Sequence, residues 1–230
     1  MATSASLYRK LPYQPLEAFE YIGLVTEVPM IIVARKDFEP VDIKALLEHV
    51  KGNADKVTLA NAGIGAASHL CGMLFMSEIG TKLTTVPYKG TGPALTDLIG
   101  GQVDFMCDQS TNTTKQIKAG EIKAYATTTK ERLKSLPDIP TATEAGLAGM
   151  EFGIWHGLYA PKGTPQEAID KLSGALQKAL ADQNVIDRFN ELGTSPVSAE
   201  EAKPDALKAK LEGEIGRWKP VIEAAGEFAD

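Results

Sequence analysis

Ala60-Asn61-Ala62-Gly63-Ile64-Gly65-Ala66-Ala67-Ser68-His69-Leu70 is the stretch of this 230-residue chain whose reading decides its fold. The short apolar run Val57 to Ala60 feeds it and an apolar-faced helix leaves it, so its glycines mark a tight strand-to-helix turn. A helix start presents backbone N–H groups with no intrahelical acceptor, together with the positive end of the helix dipole. A carboxylate or a phosphate suits such a start, and the hydroxyl of Ser68 and the ring of His69 add donors. The competing reading is that the glycines serve only the turn.

Working outward, the same unit recurs. The helix after the turn carries Leu70, Met73, Leu74 and Ser77 on one face and stops at Gly80. A strand over Leu83 to Val86 then leads through Pro87-Tyr88-Lys89-Gly90-Thr91-Gly92 to a helix from Pro93, which ends at Gly100-Gly101. Strand Val103 to Met106 runs through Cys107 and Asp108 into the polar run Gln109-Ser110-Thr111-Asn112-Thr113-Thr114, followed by a short helix and a strand over Lys123 to Thr127. Upstream, Asp42 caps a helix with Ile43, Leu46, Leu47 and Val50 at helical spacing before Gly52. The continuous apolar run Met30 to Ala34 suits a central strand buried on both faces of a parallel sheet.

Strands alternating with helices at this spacing predict an α/β fold with a mainly parallel sheet, whose ligand crevice is lined by loops after the strand ends. Three polar loops meet there: Asn61 to His69, Tyr88 to Gly92, and Asp108 to Thr114. Residues 1 to 28 read as a packed loop leading into a strand, and 132 to 149 as another loop. Phe152 to Pro161 reads as a strand at a crossover between lobes. Thr164-Pro165-Gln166-Glu167 reads as a capping box, with proline at the first helical position, opening a helical C-terminal third that is bent near Pro220.

Composition narrows the function classes. The formal charge is −6 with acidic residues scattered, which argues against nucleic acid and against a polybasic membrane surface. No run reaches the roughly 20 apolar residues of a membrane span, and Met1 to Ser6 lacks the basic start and apolar centre of a signal peptide. Cys71 and Cys107 read more readily as small buried apolar residues than as a pair, although they could bond if their helix and strand are neighbours.

The chemical motifs are mostly negative. Gly63-Ile64-Gly65-Ala66-Ala67-Ser68 lacks the third glycine of a dinucleotide fingerprint, and Tyr88 and Lys89 stand where the ribose-binding acid belongs. His49, His69 and His156 lack metal-ligand spacing, so no metal and no cofactor is expected. Ser68 and His69 are consecutive helical residues and point about 100° apart, without the Gly-x-Ser-x-Gly elbow of a hydrolase. Lys89 is either a surface lysine or the partner of a ligand carboxylate. Asp108 either caps the following helix or accepts from a ligand amino or hydroxyl group. Trp155 is either packing at the crossover or a stacking platform.

Several runs together resemble a known family. Ser6-Leu7-Tyr8-Arg9-Lys10-Leu11-Pro12-Tyr13, Asn61-Ala62-Gly63 with Ser68-His69-Leu70, and Val86-Pro87-Tyr88-Lys89-Gly90 are similar to the solute-binding proteins of tripartite tricarboxylate transporters, the Bug or TctC type. So are Ala94-Leu95-Thr96-Asp97-Leu98 with Gly101-Gln102-Val103-Asp104, Leu136-Pro137-Asp138-Ile139-Pro140-Thr141, and Trp155 to Pro161 with Gly163-Thr164-Pro165. The resemblance covers essentially the whole chain.

It implies a type II periplasmic-binding-protein-like fold of two lobes that closes on a small carboxylate and presents it to membrane permease subunits, without covalent chemistry. The ligand would be a di- or tricarboxylate, an amino acid or an aromatic acid. By the same resemblance the amides of Gly65, Ala66 and Ala67 with Ser68 and His69 hold its carboxylate, while Asp108 and the neighbouring polar loop with Thr111 set specificity; Lys89 and Trp155, candidates in their own right, complete the expected ligand-binding set. The lobes are expected at 35 to 150 and at 1 to 34 plus 151 to 230, with the crossover strands as hinge.

Family members usually carry a signal peptide and a further strand-loop-helix unit ahead of the Ser-Leu-Tyr motif, and this unit holds the opposing carboxylate loop. The first lobe is therefore expected to be incomplete, open to self-association or to completion by a partner, and binding to be weak. The resemblance places the protein in the periplasm, whereas Met1 as a true start would leave it in the cytoplasm. The alternatives are a small α/β enzyme acting on a carboxylate through Ser68 and His69, and a sensing paralogue with no transport role.

Overall fold

The computed structural model describes residues 1–226, which form two compact units. Unit 2 comprises Val28–Ile154 and the short segment Glu191–Thr194, and unit 1 the rest of the described chain. The chain is mixed α/β, as its alternating strand and helix signals predict.

Unit 2 is built on a twisted run of strands. In chain order these are β1 (Phe19–Arg35, whose first half belongs to unit 1), β2 (Thr58–Asn61), β3 (Thr84–Pro87), β4 (Phe105–Gln109) and β5 (Ile122–Thr127), in the spatial order β3-β2-β4-β1-β5. β2 pairs parallel with both β3 and β4, so three strand C-termini share one sheet edge. Helices α2 (Ile43–Gly52), α3 (Ala67–Ile79), α4 (Thr91–Ile99) and α5 (Ser110–Lys118) connect them. Met30 to Ala34 lies at the centre of the sheet and is at most 1% exposed, as its apolar run requires. Its two neighbours, however, run antiparallel to it, with Ile32 opposite Cys107 and Ala126. Burial on both faces demands the same apolar run in either direction, so the run carries no information about strand sense.

Local signals explain where the helices begin and end. Asp42 caps α2 by accepting from the amide of Ala45 at 2.9 Å, which satisfies one orphan donor of the first turn. Gly80 ends α3 in the left-handed region at φ 63°, where a side chain would be strained. α3 is buried around most of its circumference rather than along one stripe, with Ser68, His69, Cys71 and Phe75 all inside, while Ser77 of the expected apolar face is exposed. α4 starts at Thr91, two positions ahead of Pro93, which still lies within the first turn. The polar run Ser110 to Thr114 is not a loop but the first half of α5: Thr113 donates its hydroxyl back to the carbonyl of Gln109 at 3.0 Å, and the Ser110 hydroxyl is met by the distant carbonyl of Gly193 at 2.7 Å.

The core packs Ile31, Val33, Ala60, Leu98 and Met106 against one face of the sheet, and edge-to-face rings of Phe75 and Phe105 lie 5.6 Å apart. Each such buried side chain contributes roughly 1.5–3 kcal/mol by leaving water. Asp104 ties the strand entrances together, accepting from Arg35 Nε at 3.1 Å and from both the amide and the hydroxyl of Thr58 at 2.9 Å. Cys71 on α3 and Cys107 on β4 are joined as a disulfide, with Cα atoms 5.9 Å apart. Of the two readings left open in the sequence the pair is the one formed, since α3 packs directly over β4.

Unit 1 contains the short helix α1 (Ser4–Leu7), the first half of β1, most of β6 (Gly153–Pro161), helices α6 (Gln166–Leu180) and α8 (Pro204–Ala225), and all of α7 (Gln183–Glu191) but its last residue. Ile22, Ala160 and Ile169 pack together with Leu176 alongside, and α1 packs on α8. The capping box does not form. Thr164 donates its hydroxyl to the carbonyl of Pro161 at 2.7 Å, and Pro165 is the N-cap rather than the first helical residue. α8 continues as one helix through Pro220.

Candidate functional site

The site candidates fall at the sheet edge where β2, β3 and β4 end and α3, α4 and α5 begin. The quoted stretch forms a closed loop there. Asn61 is 3% exposed, and its side-chain oxygen accepts from Gly63 N at 2.9 Å as an Asx turn. Its carbonyl accepts from Tyr88 N at 2.8 Å, and that of Ala62 from Gly90 N at 3.1 Å, so the first two loops are joined by backbone bonds. Gly63 sits at φ 112°, and a Cβ there would come within 3.0 Å of the Tyr88 carbonyl. The second loop is braced further by Tyr88, whose hydroxyl donates to Asp97 at 2.7 Å.

Ser68 and His69 hold this loop from within. The Ser68 hydroxyl is buried and accepts from Ala62 N at 2.8 Å. His69, 5% exposed, accepts from Gly65 N at 3.3 Å through Nδ1, which is therefore the unprotonated ring nitrogen. Each side chain thus braces the turn through its acceptor atom, Ser68 Oγ and His69 Nδ1, and not through the hydrogen it was expected to offer to a ligand.

What remains directed outward is backbone. α3, α4 and α5 all start without a side-chain cap, whereas α2 on the same sheet has one. Among the described residues the amides of Ala67 and Ser68 meet no acceptor, and the first helical bond is Leu70 N to Ala66 O at 3.0 Å. Three uncapped helix starts at one edge place partial positive charge there that comes from the backbone and not from a side chain. Gly65 N is taken by His69 and Ala66 N by the Gly63 carbonyl at 3.0 Å, so those two amides serve the turn.

Asp108, at the end of β4, is 1% exposed. One carboxylate oxygen accepts from Gln109 N at 2.8 Å and from the Asn112 side chain at 3.3 Å, while the other, Oδ2, is buried without a hydrogen-bond partner. Thr91 lies near enough to ease the charge but outside hydrogen-bonding geometry with Oδ2. Burial raises the Asp108 pKa above the ordinary carboxylate value, partly offset by the bonds to Oδ1. Asp108 does not cap α5, whose N-cap is Gln109.

Lys89 is exposed and forms no ion pair among the described residues, and Thr111 is half-buried in the first turn of α5. Trp155 belongs to unit 1 and is half-buried there. Asn61 and Asn112 stand out in the sequence only as members of their polar loops, although the Asn-x-Gly spacing of an Asx turn is visible for the first. Among the described residues, no group of three His, Cys, Asp or Glu side chains could hold a metal, and no helix is long and apolar enough to cross a membrane.

Comparison with known proteins agrees with this architecture. The chain is 54% identical over 227 residues to a UPF0065 protein encoded in the TAR-I ttuE-ttuC' intergenic region of Agrobacterium vitis, covering 99% of this chain but 66% of that relative. The solved structure of the periplasmic binding protein BugD superposes with a TM-score of 0.92 at 52% identity, over 100% of this chain and 76% of BugD. MatC from Rhodopseudomonas palustris, solved with bound malate, superposes with a TM-score of 0.88 at 39% identity, over 96% of this chain and 75% of MatC. With residues 1–227 matched by its model, the chain belongs to TctC, the tripartite tricarboxylate transporter family receptor.

Proposed function

We propose that this protein is an extracytoplasmic solute-binding receptor, that the edge of unit 2 holds a carboxylate of its ligand, and that the loaded protein is read by the permease subunits of a tripartite tricarboxylate transporter. The observation that carries the reading is the set of three uncapped helix starts at one sheet edge. Backbone amides so arranged take an anion and need no basic residue to do so.

The contacts refine the roles of the candidates. Ser68 and His69 act as positioning residues that fix the loop, and the amides of Ala67 and Ser68 are the ones offered to the carboxylate. The bare Oδ2 of Asp108 would accept a hydrogen from a donor next to that carboxylate, since an unmet buried acceptor costs about 1–3 kcal/mol until it is satisfied. A 2-hydroxy or 2-amino acid carries such a donor, and the malate bound by MatC is a ligand of that class. Binding without turnover is the preferred reading, because the Ser68 hydroxyl is committed to Ala62 N and His69 Nδ1 to Gly65 N.

Calorimetry of the chain against malate, succinate and a neutral amide analogue tests the reading. Weak binding, with Kd of about a millimolar, is expected for malate, weaker for succinate and none for the amide. Equal heats for all three, or turnover of any of them, would overturn it.

A further inference from the structure

The Cys71–Cys107 disulfide lies between the two halves of the proposed ligand site. Cys107 immediately precedes Asp108, whose Oδ2 is buried without a hydrogen-bond partner. Cys71 sits one helical turn past Ser68 in α3. The bond joins the two elements with Cα atoms 5.9 Å apart, and both cysteines are at most 2% exposed.

α3 runs away from the site while β4 runs toward it, so their attachments follow one another along the pair. Farther from the site, Phe75 meets Phe105 with ring centroids 5.6 Å apart. Toward the neighbouring strand, a Cβ at Gly72 would come within 3.1 Å of Leu59 Cδ2, so α3 lies close on β2. Both are apolar contacts, and apolar attraction is non-directional. A disulfide is directional and holds its two backbones at a set separation. It is also the attachment between α3 and β4 that stands beside Asp108.

On the carboxylate-site reading of unit 2, on which this rests, we infer that the disulfide is a positioning clamp for ligand discrimination. It sets the distance between the Ala67 and Ser68 amides on α3 and the bare acceptor of Asp108 on β4. A 2-hydroxy acid meets both elements at once, and a hydrogen bond tolerates only about half an ångström of spread between donor and acceptor. An acid without the hydroxyl meets the amides of α3 and gains nothing from Asp108. The clamp therefore favours malate over succinate, separately from the stability that the bond gives the unit.

NMR titration with malate and with succinate reads the preference in the parent, in Cys71→Ala with Cys107→Ala, in Cys71→Ala with Cys107→Val, and in Val50→Ala. The alanine–valine pair puts back two buried heavy atoms for the two sulfurs, so it removes the tether without leaving a cavity. Val50 is fully buried on α2 and belongs to neither element, so its truncation lowers stability alone. All titrations are run in trimethylamine N-oxide, which favours the folded state and keeps the untethered chains folded. The parent and Val50→Ala should prefer malate by the same factor, whereas both untethered chains should lose about fivefold of that preference, through weaker malate binding. An equal preference in every chain would overturn the inference and leave the carboxylate site standing. A preference lost in Val50→Ala as well would overturn it too, since stability alone would then set discrimination, and so would failure of both untethered chains to fold, which would make the bond a requirement of the fold. A parent that binds neither acid would overturn the site and the clamp together.

Discussion

The hydroxyl of Ser68 accepts the N–H of Ala62 at 2.8 Å, closing the turn on itself before α3 begins. Its place in the chain suggests a ligand contact, whereas its geometry makes it a brace. Ser68→Ala leaves the Ala62 amide without its acceptor, so the chain should lose about 1–3 kcal/mol of stability, read from urea midpoints. Carboxylate affinity should fall with it, because the Ala67 and Ser68 amides lose their fixed position. An unchanged midpoint would show that the brace is dispensable.

Gly63 makes a sharper test of the loop. At φ 112°, with the Tyr88 carbonyl 3.0 Å from a would-be Cβ, Gly63→Ala must strain the backbone and push the second loop away. A loss of about 1–3 kcal/mol is expected in thermal or urea unfolding. Gly52→Ala, where nothing lies within 4 Å of the added carbon, should lose little and serves as the control.

The Cys71–Cys107 disulfide closes a sequence separation of 36 residues within unit 2. The chain-entropy account assigns about 3–4 kcal/mol to a loop of that size. Unfolding in urea with and without reductant should therefore differ by that order, and the doubly substituted Cys71→Ala, Cys107→Ala chain should match the reduced one. Coincident curves would place the stability of the unit in its apolar core alone.

Asp108 sets a pH dependence whose sign can be worked out. Burial raises its folded-state pKa, so between the ordinary carboxylate value and the raised one the folded chain keeps a proton that the unfolded chain has released. Stability from this group is therefore fully present below the ordinary carboxylate value and is lost as pH rises through that window. Asp108→Asn should flatten the profile there, as measured by urea midpoints across the window. The same variant should lose the preference for malate over succinate, since the bare acceptor is gone. A preference that survives the substitution would remove Asp108 from specificity.

Much of this fold was legible because its signals are local. The Asp42 cap, the Gly80 stop and the β-turn-α spacing each depend on residues within a turn of one another, and all three stand as read. What was not legible depends on partners distant in the chain. The antiparallel sense of β1 is decided by Cys107 and Ala126 across the sheet, and the disulfide by the packing of α3 on β4. Thr164 and the hydroxyls of α5 looked like a capping box and a loop because sequence shows which groups can bond, not which acceptor is nearest. At the site, the turn and its residues were visible, but their division into braces and free amides came only with the geometry.

The central claim is that backbone amides at the start of α3, not the side chains of Ser68 and His69, meet the ligand carboxylate. Titrating ¹⁵N-labelled protein with malate and following the amide resonances tests it most directly. The account predicts that the Ala67 and Ser68 amides shift selectively and saturably, with smaller changes at Thr91 and Thr111. Saturable shifts elsewhere, with those two amides unmoved, would contradict it.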